Sequence, residues 1–252
     1  MNNLELERLL NEQLNVAAIK DFCPNGLQVE GKSEVSKIIT GVTASQALIE
    51  QAILANADAI LVHHGYFWKG ENEQVRGMKR LRLKALLAHD INLYAYHLPL
   101  DIAPKLGNNA QLAALLGITN TGPLEEGNAL SVARWGELET PLSGAQLSER
   151  IQHRLGRSVL HVGETGPRLI RRVGFCTGGG QGYIDLAAQQ GMDAFITGEV
   201  SEQTVHVARE CGIHFFAAGH HATERYGVKA LGEWLAAEQG LQVSFIDVDN
   251  PA

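Results

Sequence analysis

Ala57-Asp58-Ala59-Ile60-Leu61-Val62-His63-His64-Gly65 decides how this chain is read. A short apolar run bounded by turn residues is the pattern of a buried strand. Here the run discharges straight into two histidines. Two other runs end in the same way. Ile91-Asn92-Leu93-Tyr94-Ala95 leads to His97 and Asp101, and Ile213-His214-Phe215-Phe216-Ala217 leads to His220, His221 and Glu224. In an open α/β sheet the carboxyl ends of the strands face one ligand crevice. Nitrogen and oxygen donors released there are what a catalytic metal centre requires.

Outward from that stretch the sequence repeats its plan. Lys37 to Val42 reads as a strand, Ala44 to Asn56 as a helix and Ala57 to Val62 as the next strand. Arg172 to Cys176, Tyr183 to Gln190 and Met192 to Thr197 repeat that order without a gap, which sets His63-His64 on Gly198-Glu199. Helices over 78–88 and 201–210 then lead into runs ending at His97-x-x-x-Asp101 and His220-x-x-x-Glu224, and closing helices follow near 108–116 and 223–237. The expected fold is therefore α/β, with two related α/β domains, largely parallel sheets and a metal site at the carboxyl ends of strands. Residues 1–121 form the first half, 122–165 a bridging segment with short strands, and 166–252 the second half. An amphipathic helix over 4–17 and a turn at Pro24-Asn25-Gly26 precede the first copy.

Composition narrows the function classes. The 252 residues, 45% hydrophobic and 19% charged, suit an ordinary soluble globular protein. No apolar stretch approaches the roughly 20 residues that span a bilayer. The start, Met1-Asn2-Asn3-Leu4-Glu5, lacks signal-peptide character, so the expected address is the cytoplasm. Cys23, Cys176 and Cys211 are scattered and form no Cys-x-x-Cys pair, which argues against a disulfide framework or a thiolate zinc site. A net charge of −7 without a basic cluster gives no footprint for duplex nucleic acid. A small-molecule substrate remains.

Each candidate side chain has a plainer alternative. Adjacent residues at a strand end diverge, so His63 and His64 serve two neighbouring ions, or else one is a ligand and the other faces solvent. His220 and Glu224 lie one turn apart on a helix face and form a chelating arm, or else an acid of the first turn beside a capping histidine. His221 points elsewhere. Pro99 suggests an extended loop at 98–100 that turns Asp101 inward, the alternative being a capping aspartate. His97 reads as ligand, orienter or proton shuttle. Glu199 completes the site or acts as base, or pairs with His206. Jointly these groups suit two ions about 3.5–4 Å apart, with Asp101 as the bridge. Thr177 to Gly182 does not fit G-x-G-x-x-G, because its third position is Tyr183, and a tight turn is favoured over an anion cradle. Tyr66-Phe67-Trp68 is an aromatic run suited to stacking a planar substrate or a neighbouring subunit, or to plain loop packing.

At these residues the chain resembles the dinuclear-metal proteins similar to NGG-interacting factor three, also labelled homologues of GTP cyclohydrolase I type 2. The resemblance rests on Asn25-Gly26-Leu27-Gln28-Val29, Val62 to Gly65, His97 to Asp101 with Asn108-Asn109, Thr197-Gly198-Glu199 and Gly219 to Glu224. It covers nearly the whole chain but lacks the middle insertion of longer members. Cys23-Pro24 stands where many members carry an aspartate. The resemblance implies His63, His64, Asp101, His220 and Glu224 as ligands of two divalent ions (Fe, Zn or Mn), with His97 nearby. It also implies two α/β domains and a ring-shaped homohexamer. The expected activity is metal-dependent hydrolysis of a nucleotide or related small molecule, with His97 or Glu199 moving protons. The competing expectation is a ring-forming binding protein without turnover.

Overall fold

The computed structural model describes residues 1–252. In chain order the elements are α1 (Asn3–Gln13), β1 (Gly26–Val29), β2 (Lys37–Thr43), α2 (Gln46–Leu54), β3 (Ala59–His64), α3 (Gly77–Ala88), β4 (Asn92–Ala95), α4 (Leu98–Ile102) and α5 (Asn108–Leu116). They continue as β5 (Ile118–Pro123), β6 (Arg134–Leu142), α6 (Gly144–Leu155), β7 (Leu160–Val162), β8 (Ile170–Cys176), α7 (Ile184–Gln189), β9 (Ala194–Thr197), α8 (Glu202–Cys211), β10 (His214–Ala217), α9 (His220–Gln239) and β11 (Gln242–Phe245). Residues 1–107 and 227–249 make one compact unit, and residues 108–226 and 250–252 the other.

The first unit holds a five-stranded sheet in the order β1-β4-β3-β2-β11, parallel except for β1 against β4. Its strands are apolar on both faces because helices cover both. Leu6 and Leu10 of α1 and Val228, Leu231 and Leu235 of α9 pack with Ile38, Leu61 and Tyr94. The alternate residues Ile39, Ile60, Val62 and Leu93 face Leu48, Ile49 and Ala52 of α2 and Leu86 of α3. Burying each such Leu or Ile fully stabilises the fold by roughly 1.5–3 kcal/mol. Ser45 fixes the start of α2 by accepting the Leu48 amide at 3.2 Å.

The second unit holds a six-stranded mixed sheet, β5-β6-β8-β9-β10-β7, in which β8, β9 and β10 are parallel to one another. Residues 122–165, read from sequence as a bridge, supply β6, α6 and β7 to this sheet and its cover. Their short alternations belong to strands with one exposed face, which carry a weak hydrophobic signal. Leu112 and Leu116 of α5 and Leu147, Ile151 and Leu155 of α6 cover one face, and Ile184 and Ala187 of α7 with Ala208 of α8 cover the other.

The repeat read from sequence is present in the strand register. Ile38 pairs with Ala59 as Val173 pairs with Ala194, and Ala59 with Asn92 as Ala194 with His214. Even the antiparallel edge recurs, β1 on β4 and β7 on β10, with Leu27 opposite Tyr94 and His161 opposite Phe216.

Two details of the sequence reading change. Counting on from Asn92 and His214 sets His97 against Gly219, so the two His-x-x-x-carboxylate motifs stand one residue out of step. His97 is the residue before α4, whereas His220 is the first of α9. The segment 98–100 is also helical rather than extended, because Pro99 lies in the first turn of α4, where its missing N–H costs nothing.

Candidate metal centre

In the first unit the chain delivers three imidazoles to one place. His63 and His64 close β3, and His97 follows β4, the neighbouring parallel strand. Their offered nitrogens lie within 4.8 Å of one another. The His63 and His64 rings do not diverge as the strand geometry suggested. Their centroids are 4.5 Å apart, and that of His97 is 5.2 Å from His63 and 5.9 Å from His64. The strand ends at His64, and the backbone is no longer held in an alternating ladder beyond it.

Hydrogen bonds set which nitrogen each ring presents. His63 is fully buried, and its Nδ1 lies 2.9 Å from the Tyr96 carbonyl oxygen. A carbonyl only accepts, so Nδ1 carries the proton and Nε2 presents the lone pair that could coordinate an ion. That Nε2 faces the Asp101 Oδ1 at 3.5 Å. Asp101, in the first turn of α4, is itself buried. His97 places Nδ1 2.7 Å from the Asp21 Oδ1, which turns its Nε2 outward in the same way. His64 Nδ1 is 3.3 Å from the Thr43 hydroxyl.

Asp21 is the residue that sequence reasoning missed. Its side chain is only 3% exposed. Its oxygens accept from His97, the Phe22 and Leu98 amides and the Asn25 side chain. Burial alone would raise its pKa, but the His97 and Asn25 hydrogen bonds outweigh burial and lower it, so the group stays a carboxylate. The only signal was an aspartate ahead of a Pro-Asn-Gly turn, which is ordinary turn chemistry. Cys23 lies within the same reach of Asp21 and His97, and burial together with the Asp21 charge pushes its thiol up to about 12.

The aromatic run packs on the histidines. Trp68 stands edge-on to His97 at 4.8 Å and donates its indole N–H to the Gly65 carbonyl at 3.3 Å. Tyr66 is buried and donates to Ala44 O at 2.7 Å, while Phe67 is exposed under Lys79.

In the second unit His220 and Glu224 stand together on one face of α9, as their spacing predicts. His220 Nε2 is 3.2 Å from the Glu224 Oε2, one turn along α9. His220 Nδ1 lies 2.6 Å from the Glu199 Oε1. Glu199 is therefore not a buried partner of His206. It is half exposed and belongs to His220, while His206 pairs with Glu202 at 3.0 Å. Burial opposes charge on His220, but Glu224 and Glu199 outweigh it and raise the imidazole to about 9. The glycine loop is a packing device. Gly178 has a φ of +65°, and a β-carbon there would collide with the Glu224 carboxylate. The loop is tied down by Gly178 N–H to the Thr223 hydroxyl at 2.9 Å and by the Thr197 hydroxyl to Gly178 O at 3.1 Å.

The donors in each unit fit divalent transition ions. They are imidazole nitrogens and carboxylates, with the ring tautomers fixed by second partners.

A family model described as Duf34/NIF3 (NGG1p interacting factor 3) matches residues 1–251. The chain belongs to the Duf34/NIF3 family. It is 67% identical over 252 residues to a Haemophilus influenzae protein named GTP cyclohydrolase 1 type 2 homolog, and 63% identical to its Escherichia coli K12 counterpart, with both chains covered in full each time. Among solved structures it matches one described as protein ybgI, unknown function, at 63% identity and a TM-score of 0.97, again over all of both chains. A Thermus thermophilus protein matches at 34% identity and a TM-score of 0.91, with full coverage of each.

Proposed function

We propose that this Duf34/NIF3 member is a dinuclear metal-dependent hydrolase of a nucleotide or related small molecule, with His63, His64, Asp101, His220 and Glu224 as ligands. The observation that supports it most is the His63, His64 and His97 cluster, whose nitrogens share one 4.8 Å neighbourhood beside the buried Asp101. In the second unit His220 and Glu224 supply a ready i, i+4 arm.

Divalent Fe, Zn or Mn bound there would polarise an electrophilic centre and acidify water. The chain's own residues manage protons and orientation. His97, held through Nδ1 by Asp21, offers Nε2 as the proton acceptor. Glu199 receives or returns a proton through its contact with His220. The nucleotide class follows the name carried by the curated relatives. We propose the same homohexameric ring and cytoplasmic address that the resemblance implies. No helix is long and apolar enough to cross a membrane.

Elemental analysis of purified protein tests the centre, with about two ions per chain expected. A turnover screen of nucleotides, phosphodiesters and cyclic amides with Mn²⁺, Fe²⁺ or Zn²⁺ tests the reaction. Full metal loading with no turnover across the screen would instead favour a binding protein. Sedimentation tests the ring.

A further inference from the structure

Gln28 sits where β1 falls out of step with its neighbour. Leu27 pairs with Tyr94 and Val29 with Leu93, so β1 advances two residues while β4 advances one, and Gln28 is the extra residue of a β-bulge. Bulges gather at sheet edges and beside active sites, where they re-aim a side chain. β1 is the edge of its sheet, and its partner β4 leads to His97.

The re-aimed amide reaches two loops. Gln28 Oε1 accepts the Tyr66 backbone N–H at 2.7 Å, and Gln28 Nε2 donates to the Tyr66 carbonyl at 3.0 Å. One side chain thus satisfies both backbone groups of Tyr66, as a strand partner would, two residues after β3 has ended. The same Nε2 donates to the Pro24 carbonyl at 2.8 Å, so both of its hydrogens are used. Gly65 makes this approach possible. A β-carbon there would overlap Gln28 Oε1, and the Gly65 φ is not positive, so closeness rather than conformation calls for glycine.

Each loop governs part of the three-imidazole cluster. Tyr66 follows His63 and His64 directly after Gly65, whose carbonyl holds the Trp68 indole edge-on to His97. Pro24 lies in the turn whose Asp21 fixes His97 Nδ1 and whose Asn25 Oδ1 accepts the His97 backbone N–H at 2.7 Å. The rings therefore come from two segments, and Gln28 bonds to both. Ligands hold an ion well only when a surrounding shell fixes their spacing and orientation.

We propose that Gln28 is a positioning residue of the metal centre, locking the His63-His64 segment to the turn that orients His97. The proposal rests on reading the three-imidazole cluster as a metal site.

The test compares two variants of the full-length protein. Gln28→Met keeps the length of the side chain and removes all three hydrogen bonds. Gln28→Asn keeps the amide but falls one methylene short. In protein stripped of metal by a chelator, imidazole nitrogen NMR should show His64 and His97 moving towards the averaged shifts of mobile rings in both variants. Titration with Co²⁺, followed by its visible absorption, should show binding about tenfold to a hundredfold weaker than in the parent. Asp58→Ala is the control for stability alone, because Asp58 bonds Lys32, Ser36 and Lys37 at the opposite end of the same sheet. It should melt lower and keep parental shifts and Co²⁺ affinity. Parental imidazole shifts or parental Co²⁺ affinity in a folded Gln28 variant overturns the lock, even if that variant melts as low as Asp58→Ala. No Co²⁺ uptake by the parent would sink the metal reading, and the imidazole shifts would still decide whether Gln28 positions the rings.

Discussion

Asp58 and Asp193 perform the same task in the two halves of the chain. Asp58 Oδ2 accepts the Ser36 and Lys37 amides at 3.1 and 3.0 Å, and Asp193 Oδ2 accepts the Arg171 and Arg172 amides at 2.8 Å each. Their backbones repeat the pattern. The Asp58 amide donates to Lys37 O and its carbonyl accepts from Asn92, while Asp193 does so with Arg172 and His214. Each aspartate precedes the middle strand of a parallel trio and ties the starts of all three together. Both halves follow one plan down to individual hydrogen bonds, although few of the matched side chains are alike.

Asp58 gives that plan a measurable acid limb. Burial alone would raise its pKa, but Lys32, Ser36 and Lys37 donate to it and lower it from 3.8 to about 2. A carboxylate held below its unfolded value stabilises the fold above that value, and the stabilisation fades as pH falls from about 4 towards 2. Because Asp58 is largely within reach of solvent, screening cuts the worth of that shift to about 1 kcal/mol. Asp58→Ala should therefore lower the unfolding free energy in urea at pH 7 by about that amount. Its stability should also fall less steeply than the parent's between pH 4 and 2, and an identical acid limb in both proteins would refute the assignment.

Much of this architecture was legible in the sequence, because strands covered on both faces read as continuous apolar runs. Ala59 to Val62 could hardly be anything else. The helix pair His220 and Glu224 was legible too, since spacing alone fixes a helical face. Asp21 was not. Its role depends on the 76 positions that separate it from His97, and no local period encodes a contact of that range. The out-of-step motifs misled for a related reason. Strand pairing sets their register, and pairing is a property of the sheet rather than of the segment.

Asp21→Asn should disturb the centre without emptying the core. Asparagine has one acceptor oxygen for a site where both carboxylate oxygens are used, so His97 loses either its fixed proton or its neighbour at Leu98. Loss of such an orienting partner typically costs about tenfold to a hundredfold in metal affinity or activity. Nitrogen NMR of His97 separates this from mere destabilisation. The proton should sit on Nδ1 in the parent and redistribute to Nε2 in the variant, whereas an unchanged tautomer would sink the positioning role.

His63→Ala and Glu224→Ala should each lower the metal content. His63 presents a buried Nε2 towards Asp101, and Glu224 is buried against His220. Loading should drop from about two ions per chain to one or fewer in each variant. Near-parental metal in both, measured by mass spectrometry of the elements after gel filtration, would remove these residues from the ligand set.

Gly178 and Gly182 offer a matched pair within one loop. Gly178 has a φ of +65°, and an added β-carbon would overlap the Glu224 carboxylate and approach the His220 Nε2 to 3.0 Å. A β-carbon on Gly182 would meet nothing within 4 Å, and its φ is not positive. Gly178→Ala should therefore cost about 1–2 kcal/mol in backbone strain and more through the displaced Glu224. Gly182→Ala should stay within about 0.5 kcal/mol of the parent. Urea unfolding gives the stabilities, and metal content gives the second readout. Gly178→Ala should lose ions because its clash falls on a proposed ligand, and Gly182→Ala should keep them. Equal behaviour of the two variants would mean that the loop is a turn with no bearing on the centre.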